Sequence, residues 1–86
     1  APYPNPFNSE VVVKYSLPAE SAVELVVHNE LGQVVRRLVE GYRGMGHHRV
    51  TWDGRDEDGR RVATGVYVVR MQTDEFSQMR KISLGK

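Results

Sequence analysis

The sequence predicts an all-β fold, an immunoglobulin-like (fibronectin III-like) antiparallel β-sandwich of about seven strands. Apolar and polar residues alternate over several short segments, and turn-forming residues separate these segments. No segment keeps apolar residues at the i, i+3, i+4, i+7 spacing for long enough to form a helix. Short half-buried strands joined by turns are typical of a two-layer sandwich.

The chain of 86 residues is short enough to form one domain. We expect residues 1–8 to be a proline-rich lead-in or linker and residues 9–86 to be the sandwich. Proline stands at every second position in the lead-in and biases its neighbours toward extended geometry, so we expect a linker rather than a paired strand. This pattern also suggests that the chain continues a larger protein on its N-terminal side.

The first half of the sandwich contains four predicted strands. In the first of them, Val11, Val13 and Tyr15 share one face, and Pro18 ends the strand. Gly32 can supply the positive φ that the tight connection after the second strand requires. The predicted strands are residues 10–17, 23–27, 34–39 and 47–52, with a loop at residues 41–46.

The second half begins with residues 53–60, which are dense in aspartate and glycine and predict turns. A short strand is expected at residues 61–63, a strongly β-branched strand at 66–72, a turn at 73–75 and a closing strand at 76–84.

Alternation within these strands predicts the core. Five valines of the opposite parity are either ordinary surface residues or a docking face for a neighbouring domain; they are Val12, Val26, Val35, Val66 and Val68. The predicted core residues are Val11, Val13, Tyr15, Leu25, Val27, Val50, Trp52, Tyr67, Val69, Met71, Ile82 and Leu84.

The composition of the chain argues against several classes of protein, among them nucleic-acid binders and disulfide-rich domains. Twelve Lys+Arg residues balance eleven Asp+Glu residues, for a net charge of +1, which lacks the basic excess of a nucleic-acid binder. The chain has no cysteine, so neither a disulfide framework nor a cysteine metal site is expected. No apolar run approaches the roughly 18 residues that a membrane-spanning helix needs. No signal peptide opens the chain, so an export signal, if used, was removed or lies upstream.

Metal binding has two candidate sets of residues. His47 and His48 are neighbours in a strand, point to opposite faces and cannot hold one ion together, and solvent-facing histidines are the expectation. Asp53, Asp56 and Asp58 form a weak Ca²⁺ candidate within the acidic loop. The alternative is a pair of turns whose carboxylates accept hydrogen bonds from their own backbone.

We find no catalytic constellation in the sequence, and we expect neither an enzyme nor a bound cofactor or small-molecule substrate. No serine lies in a nucleophile elbow, and the carboxylates cluster on one loop instead of facing each other across a cleft. Tyr42, Trp52 and Tyr67 could form a carbohydrate-binding platform, but Trp52 and Tyr67 have core parity, which favours a structural role.

Several segments, in a fixed order, carry a resemblance to a known family. They are PNPFN (4–8), VKYSLP (13–18), NELGQVV (29–35), HRVTWDGRD (48–56), ATGVY (63–67) and RKISLGK (80–86). Together they resemble the type A C-terminal sorting domain of the type IX secretion system and the related Ig-like domain of the flagellar hook-capping protein.

The resemblance implies a non-catalytic sorting or anchoring domain of a secreted or cell-surface bacterial protein. Its partner would be the secretion machinery, with association at the outer-membrane surface. Arg80, Lys81 and Lys86 would form a cationic end that binds an acidic receptor surface. The motif residues Gly32, Trp52, Asp53, Gly54, Gly65 and Tyr67 are expected to be structural.

Two other functions stay open at this point. One is a structural module that packs on a neighbouring upstream domain or assembles into an extracellular fibre, which the two-sided valines and the lead-in favour. The other is a carbohydrate-binding module that uses Tyr42 and Trp52.

Overall fold

The computed structural model describes residues 10–85, and these form six strands and no helix. Within this range there is accordingly no helix long and apolar enough to cross a membrane. The strands are β1 (Val11–Leu17), β2 (Ser21–His28), β3 (Val34–Arg43), β4 (Gly46–Trp52), β5 (Gly65–Thr73) and β6 (Ser77–Leu84).

The strands form two antiparallel sheets that pack as a sandwich. One sheet is the pair β1–β4, and the other has the order β3-β2-β5-β6. At the two sides of the sandwich, β1 contacts β6 and β4 contacts β3. This arrangement confirms the predicted all-β, Ig-like fold class.

The core lies between the sheets and is centred on Trp52, Leu25 and Val27, which are fully buried. Nine predicted core residues are buried, and the other three, Val11, Val50 and Ile82, pack against the core while partly exposed. The prediction omitted four residues that belong to the buried cluster, namely Leu17, Val23, Val35 and Val39.

Two predicted segments differ in the structure. Residues 61–63 do not form a strand, because only an isolated bridge joins Arg61 to Arg55. The described residues therefore give six strands instead of about seven. The predicted loop at residues 41–46 is also shorter than expected, since β3 continues to Arg43 through pairing of Gly41 with Val23 on β2.

The pairing of β2 with β3 is irregular, and this changes which valines are buried. The register shifts between Leu25 and Val26 and again between Val27 and His28. A bulge inserts an unpaired residue and re-aims side chains. Val35, one of the five opposite-parity valines, is consequently buried in the core.

The turn before β5 has the hydrogen bond that marks the corner of many Ig-like sandwiches. The Tyr67 hydroxyl donates to the Ala63 carbonyl oxygen at 2.6 Å. Such a bond from the start of this strand back to the preceding backbone is a hallmark of the fold. The Tyr67 ring also meets Trp52 edge to face, with 5.1 Å between ring centroids.

The connection between β2 and β3 uses Gly32 as the sequence predicts, and Asn29 holds it together. The Asn29 carboxamide oxygen accepts from the Leu31 and Gln33 amides, both at 2.9 Å. Gly32 has a φ of 86°, in the left-handed region that costs a glycine little.

Candidate partner-binding site

A groove separates β1 from β6 at the side of the sandwich where the two-stranded sheet ends. Its volume is about 590 Å³, and its lining includes Lys14 and Tyr15 on β1 together with Gln78 and Arg80 on β6. A second cavity extends the groove toward the core, where it is lined by Val13, Leu25, Val69 and Met71. The groove therefore has an apolar floor between two polar strands.

Arg80 bridges this groove. Its guanidinium Nη1 donates to the Lys14 carbonyl oxygen at 3.2 Å. Arg80 stands opposite the buried Val69 in the register, so its side chain points to the inner side of the four-stranded sheet. A charged residue thus occupies an inward position where the second sheet is too narrow to cover β6.

The rim of the groove is cationic. Lys14, Arg49 and Arg80 line it, and none of them forms a salt bridge with another residue in the range 10–85. His47 also lies at the rim, where its Nδ1 is 2.7 Å from the Ser16 hydroxyl. No acidic side chain of the described range lines the groove. Its electrostatic field favours an anionic or neutral occupant.

The three predicted sorting residues do not converge on one surface. Arg80 faces the groove, whereas Lys81 stands opposite Val68 and faces the outer side of the four-stranded sheet. Neighbours in a strand point to opposite faces, and the β6 pairing is regular throughout. Lys86 lies outside the described residues, so the role of this set stays a prediction.

The outer face of the four-stranded sheet mixes apolar and basic side chains. Val66 and Met79 are exposed there, Val68 is half-buried, and Val26 is buried although it lies outside the core cluster. Arg37 and Arg70 stand opposite Val26 on the neighbouring strands. Long basic side chains cover apolar neighbours with their aliphatic stems. Val12 is exposed on the other sheet.

The acidic loop uses its carboxylates within the protein. Asp53 Oδ1 accepts from the Arg55 amide and from the Arg36 guanidinium, each at 3.1 Å. Asp56 Oδ1 accepts from the Asp58 and Arg60 amides at 2.9 and 3.0 Å. These are the bonds that the turn interpretation predicts. No group of three or more metal-ligating side chains occurs in residues 10–85.

Sequence reasoning missed the contact that this loop makes with β3. The Glu57 amide donates to the Val35 carbonyl oxygen at 3.0 Å, and the Glu57 carboxylate accepts from the Arg37 amide. Arg36 strengthens the attachment by donating to the Arg55 carbonyl oxygen at 3.2 Å. We call this arrangement the β3 edge cover. The contact joins the backbone of β3 to a loop about 20 residues away, so the spacing of side chains in residues 34–39 does not indicate it.

Trp52, Tyr67 and His48 pack on or donate to other residues of the domain, whereas Tyr42 is exposed. Trp52 is fully buried, and its Nε1 donates to the Arg55 carbonyl oxygen at 2.9 Å. Burial, with a smaller contribution from the negative charge of Glu30, raises the pKa of Tyr67 above its ordinary value. His48 stacks on Tyr15 with ring centroids 5.1 Å apart. A carbohydrate platform built on Trp52 is therefore wrong, because the indole has no exposed face.

The fold and these contacts define a class of protein, an Ig-like sandwich in which Trp52, Asp53 and Tyr67 make hydrogen bonds within the domain. The profile of the FlgD Ig-like domain family matches residues 7–76. The chain belongs to the FlgD Ig-like domain family, which is a structural and non-enzymatic one.

A solved structure supports this assignment. The chain is similar to FlgD from P. aeruginosa, with 27% sequence identity and a TM-score of 0.68 over 88% of this chain. The match covers 58% of the FlgD chain. No curated protein sequence matches the chain.

Proposed function

We propose that this chain is a non-catalytic structural module of a flagellar hook-capping type of protein, and that it acts through protein–protein contacts. The family match over residues 7–76 carries this proposal, and the similarity to P. aeruginosa FlgD extends it to most of the sandwich. A position outside the cell, on or beyond the outer cell surface, is part of the proposal.

The surfaces of the sandwich fit such a role. The rim of the β1–β6 groove presents Lys14, Arg49 and Arg80 without an acidic partner in the described range. The outer face of the four-stranded sheet exposes Val66 and Met79 beside basic residues. Apolar side chains framed by charges are common where one protein packs on another.

A domain exchange tests the proposal. The Ig-like region of P. aeruginosa FlgD would be replaced by this chain, and completed hooks would be counted by electron microscopy in cells that lack their own FlgD. We expect hooks with this chain and none with an unrelated fibronectin III-type sandwich of equal length. A chimera that is stable and present at normal levels yet builds no hooks would overturn the proposal.

A second candidate function is sorting by the type IX secretion machinery. Its support is the ordered set of motifs over residues 3–86 and the basic closing strand. A receptor that binds both Arg80 and Lys81 would have to contact β6 from two sides, because these side chains point in opposite directions. A reporter fused to the chain, in a host with that machinery, separates the two functions. Export that is lost without residues 77–86 would favour sorting.

A further inference from the structure

The free edge of β1 is its outer edge, on the side away from β4. No strand within residues 10–85 pairs with this edge. The Lys14 carbonyl accepts from Arg80, which reaches it from β6 at this side of the sandwich, so the carbonyl points to the free edge. The N–H and C=O of one residue in an antiparallel strand point to the same side, and successive residues alternate. The free edge therefore presents the backbone groups of Val12, Lys14 and Ser16.

Two cations stand side by side on the outward face of β1 and β4. Lys14 is the register partner of Arg49, and both side chains are exposed because their neighbours Val13 and Val50 face the core. The Lys14 backbone points away from β4, so the two residues form a non-hydrogen-bonded pair, in which opposite side chains approach most closely. Like charges directly opposite each other in a sheet are unfavourable. A negative charge beside this pair would relieve the repulsion.

The described part of the chain supplies no such negative charge. The salt bridges within residues 10–85 involve neither Lys14 nor Arg49. No acidic side chain of that range lines the groove that borders the free edge, and the floor of the groove is formed by apolar core residues. A strand placed along the free edge would therefore meet cations on its outward side and apolar surface on its inward side.

We propose that the free edge of β1 binds an extended segment of a partner protein as an added strand, and that this segment alternates acidic and apolar residues. In such complexes main-chain hydrogen bonds give affinity, and alternate side chains give specificity. Directly opposite residues share a face, so an acidic residue of the segment would lie next to Lys14 and close to Arg49. Its apolar neighbours would cover the groove floor beside Val13.

The bond from Arg80 is compatible with the added strand. A carbonyl oxygen has two lone pairs, so the Lys14 carbonyl can accept from Arg80 and from a partner amide together. A second copy of this chain fits the edge less well. A copy of β1 would bring another lysine to an edge that is already cationic, and a copy of β6 would bring Arg80 and Lys81. Charge complementarity therefore favours an acidic partner segment.

Nuclear magnetic resonance on the full 86-residue chain tests strand addition amide by amide. The probe is a peptide of seven residues, the length of β1, in which glutamate and valine alternate. We expect the peptide to slow solvent exchange of the Val12, Lys14 and Ser16 amides at least several-fold. The Val13 and Tyr15 amides point to β4 and should not change. Unchanged exchange at the three edge amides would overturn the proposal.

The same measurement distinguishes other occupants of the edge. Slow exchange of the three edge amides in the protein alone would overturn the proposal, because the edge would already be covered. If that protection rises with protein concentration, the occupant is a second copy. A peptide of the same composition, with its glutamates and valines in separate blocks, should not protect the edge amides. Equal protection by this peptide would also overturn the proposal, because charge attraction alone would explain the binding.

Charge reversal tests the acidic half of the pattern. Lys14→Glu should weaken binding of the alternating peptide roughly five-fold or more, because the new carboxylate repels the peptide and pairs with Arg49. Lys81→Glu is the matched control on the outer face of the other sheet, and should change the affinity less than about two-fold. All three side chains are exposed, so both variants should fold. Equal weakening in the two variants would overturn the proposal.

This inference rests on the proposed function, because it names the chemistry of the partner that a protein-contact module would bind. The two can nevertheless fail separately. Hooks built by the FlgD chimera, together with no binding of the alternating peptide, would overturn this inference alone. Absence of hooks, together with protection of the edge amides by the peptide, would overturn the hook-capping role alone.

Discussion

Two of the edge strands of the sandwich, β3 and β1, are covered to different extents. The edge of β3 is covered by the acidic loop, through the Glu57 amide and carboxylate and the attachment of Arg36. Along the described chain, the free edge of β1 receives a single hydrogen bond, from the Arg80 guanidinium to the Lys14 carbonyl. The loop after Trp52 thus covers the edge of β3, whereas residues 10–85 supply no comparable loop along the outer edge of β1.

Aspartate, glutamate and arginine are concentrated in residues 53–60 because the loop that they form covers the edge of β3. An uncovered strand edge is a site for unwanted pairing, and charged residues or a covering loop prevent it. Asp53 and Asp56 fold the loop back on itself, which brings Glu57 to the backbone of β3. The carboxylates of Asp53 and Asp56 therefore hold the loop in the conformation that covers the edge of β3.

The largest expected effect is that of Trp52→Ala, which removes packing from the core and also loosens the loop that covers the edge of β3. Trp52 is fully buried beside Tyr67 and also anchors the loop through the Arg55 carbonyl. Replacing a buried tryptophan by alanine costs about 3–5 kcal/mol. Urea unfolding followed by circular dichroism measures the loss. Thr51→Ala, at the exposed neighbouring position, should change the free energy of unfolding by less than about 0.5 kcal/mol.

Glu57→Ala tests the β3 edge cover alone. The substitution removes the acceptor for the Arg37 amide but keeps the bond from the Glu57 amide to Val35. We expect a loss of about 1 kcal/mol in the free energy of unfolding, the value of an ordinary hydrogen bond, because the exposure of Glu57 offsets the extra strength that its charge would give. Asp58→Ala is the matched control, because the Asp58 carboxylate makes no hydrogen bond within residues 10–85. An equal loss in both variants would indicate a general charge effect.

Arg80→Ala tests the contribution of the hydrogen bond from Arg80 to the Lys14 carbonyl at the outer edge of β1. Because Arg80 is exposed, we expect a loss of about 0.5 kcal/mol or less, smaller than that of Glu57→Ala. Lys81→Ala removes a positive charge from the adjacent, outward-facing position, and should leave the free energy of unfolding almost unchanged. If Arg80→Ala lowers the free energy of unfolding more than Glu57→Ala does, the edge of β1 is held more strongly than the edge of β3, which would contradict this account.

The smallest expected effect is the pH dependence of stability that the ionisation of Tyr67 contributes; this residue belongs to neither edge. Burial raises the pKa of its hydroxyl in the folded protein, so the folded state holds this proton more tightly than the unfolded chain does. The associated stability is fully present below the ordinary tyrosine pKa of about 10 and is lost as the pH rises through the folded-state value. Unfolding experiments between neutral and alkaline pH should show this decline, and Tyr67→Phe should reduce it.

Much of this fold follows from local sequence rules. Alternation located β1, β2, β4, β5 and β6 to within a few residues, and Gly32 marked the connection between β2 and β3. Trp52 and Tyr67 were identified as core residues from parity alone. Strand positions, turns and residue parity depend on residues that are close together along the chain, so the sequence alone is enough to predict them.

Features that depend on pairing between distant strands were harder to predict. The irregular register of β2 with β3 buries Val35, and no spacing within residues 34–39 alone indicates where the partner strand shifts. Residues 61–63 have β-forming character, but only Arg61 forms a bridge there. The separation of Arg80 from Lys81 follows from strand geometry, and the core parity of Ile82 and Leu84 sets Arg80 on the inner side. That this inner position borders a groove instead of the core depends on the width of the opposite sheet.

Amide hydrogen exchange at Arg37 tests the contrast between the edges most directly, in the wild type and in Glu57→Ala. We expect slow exchange in the wild type, exchange at least several-fold faster in Glu57→Ala, and no change at Val69 in the interior of β5. Equal exchange of the Arg37 amide in the two proteins would contradict the conclusion that the acidic loop covers the edge of β3.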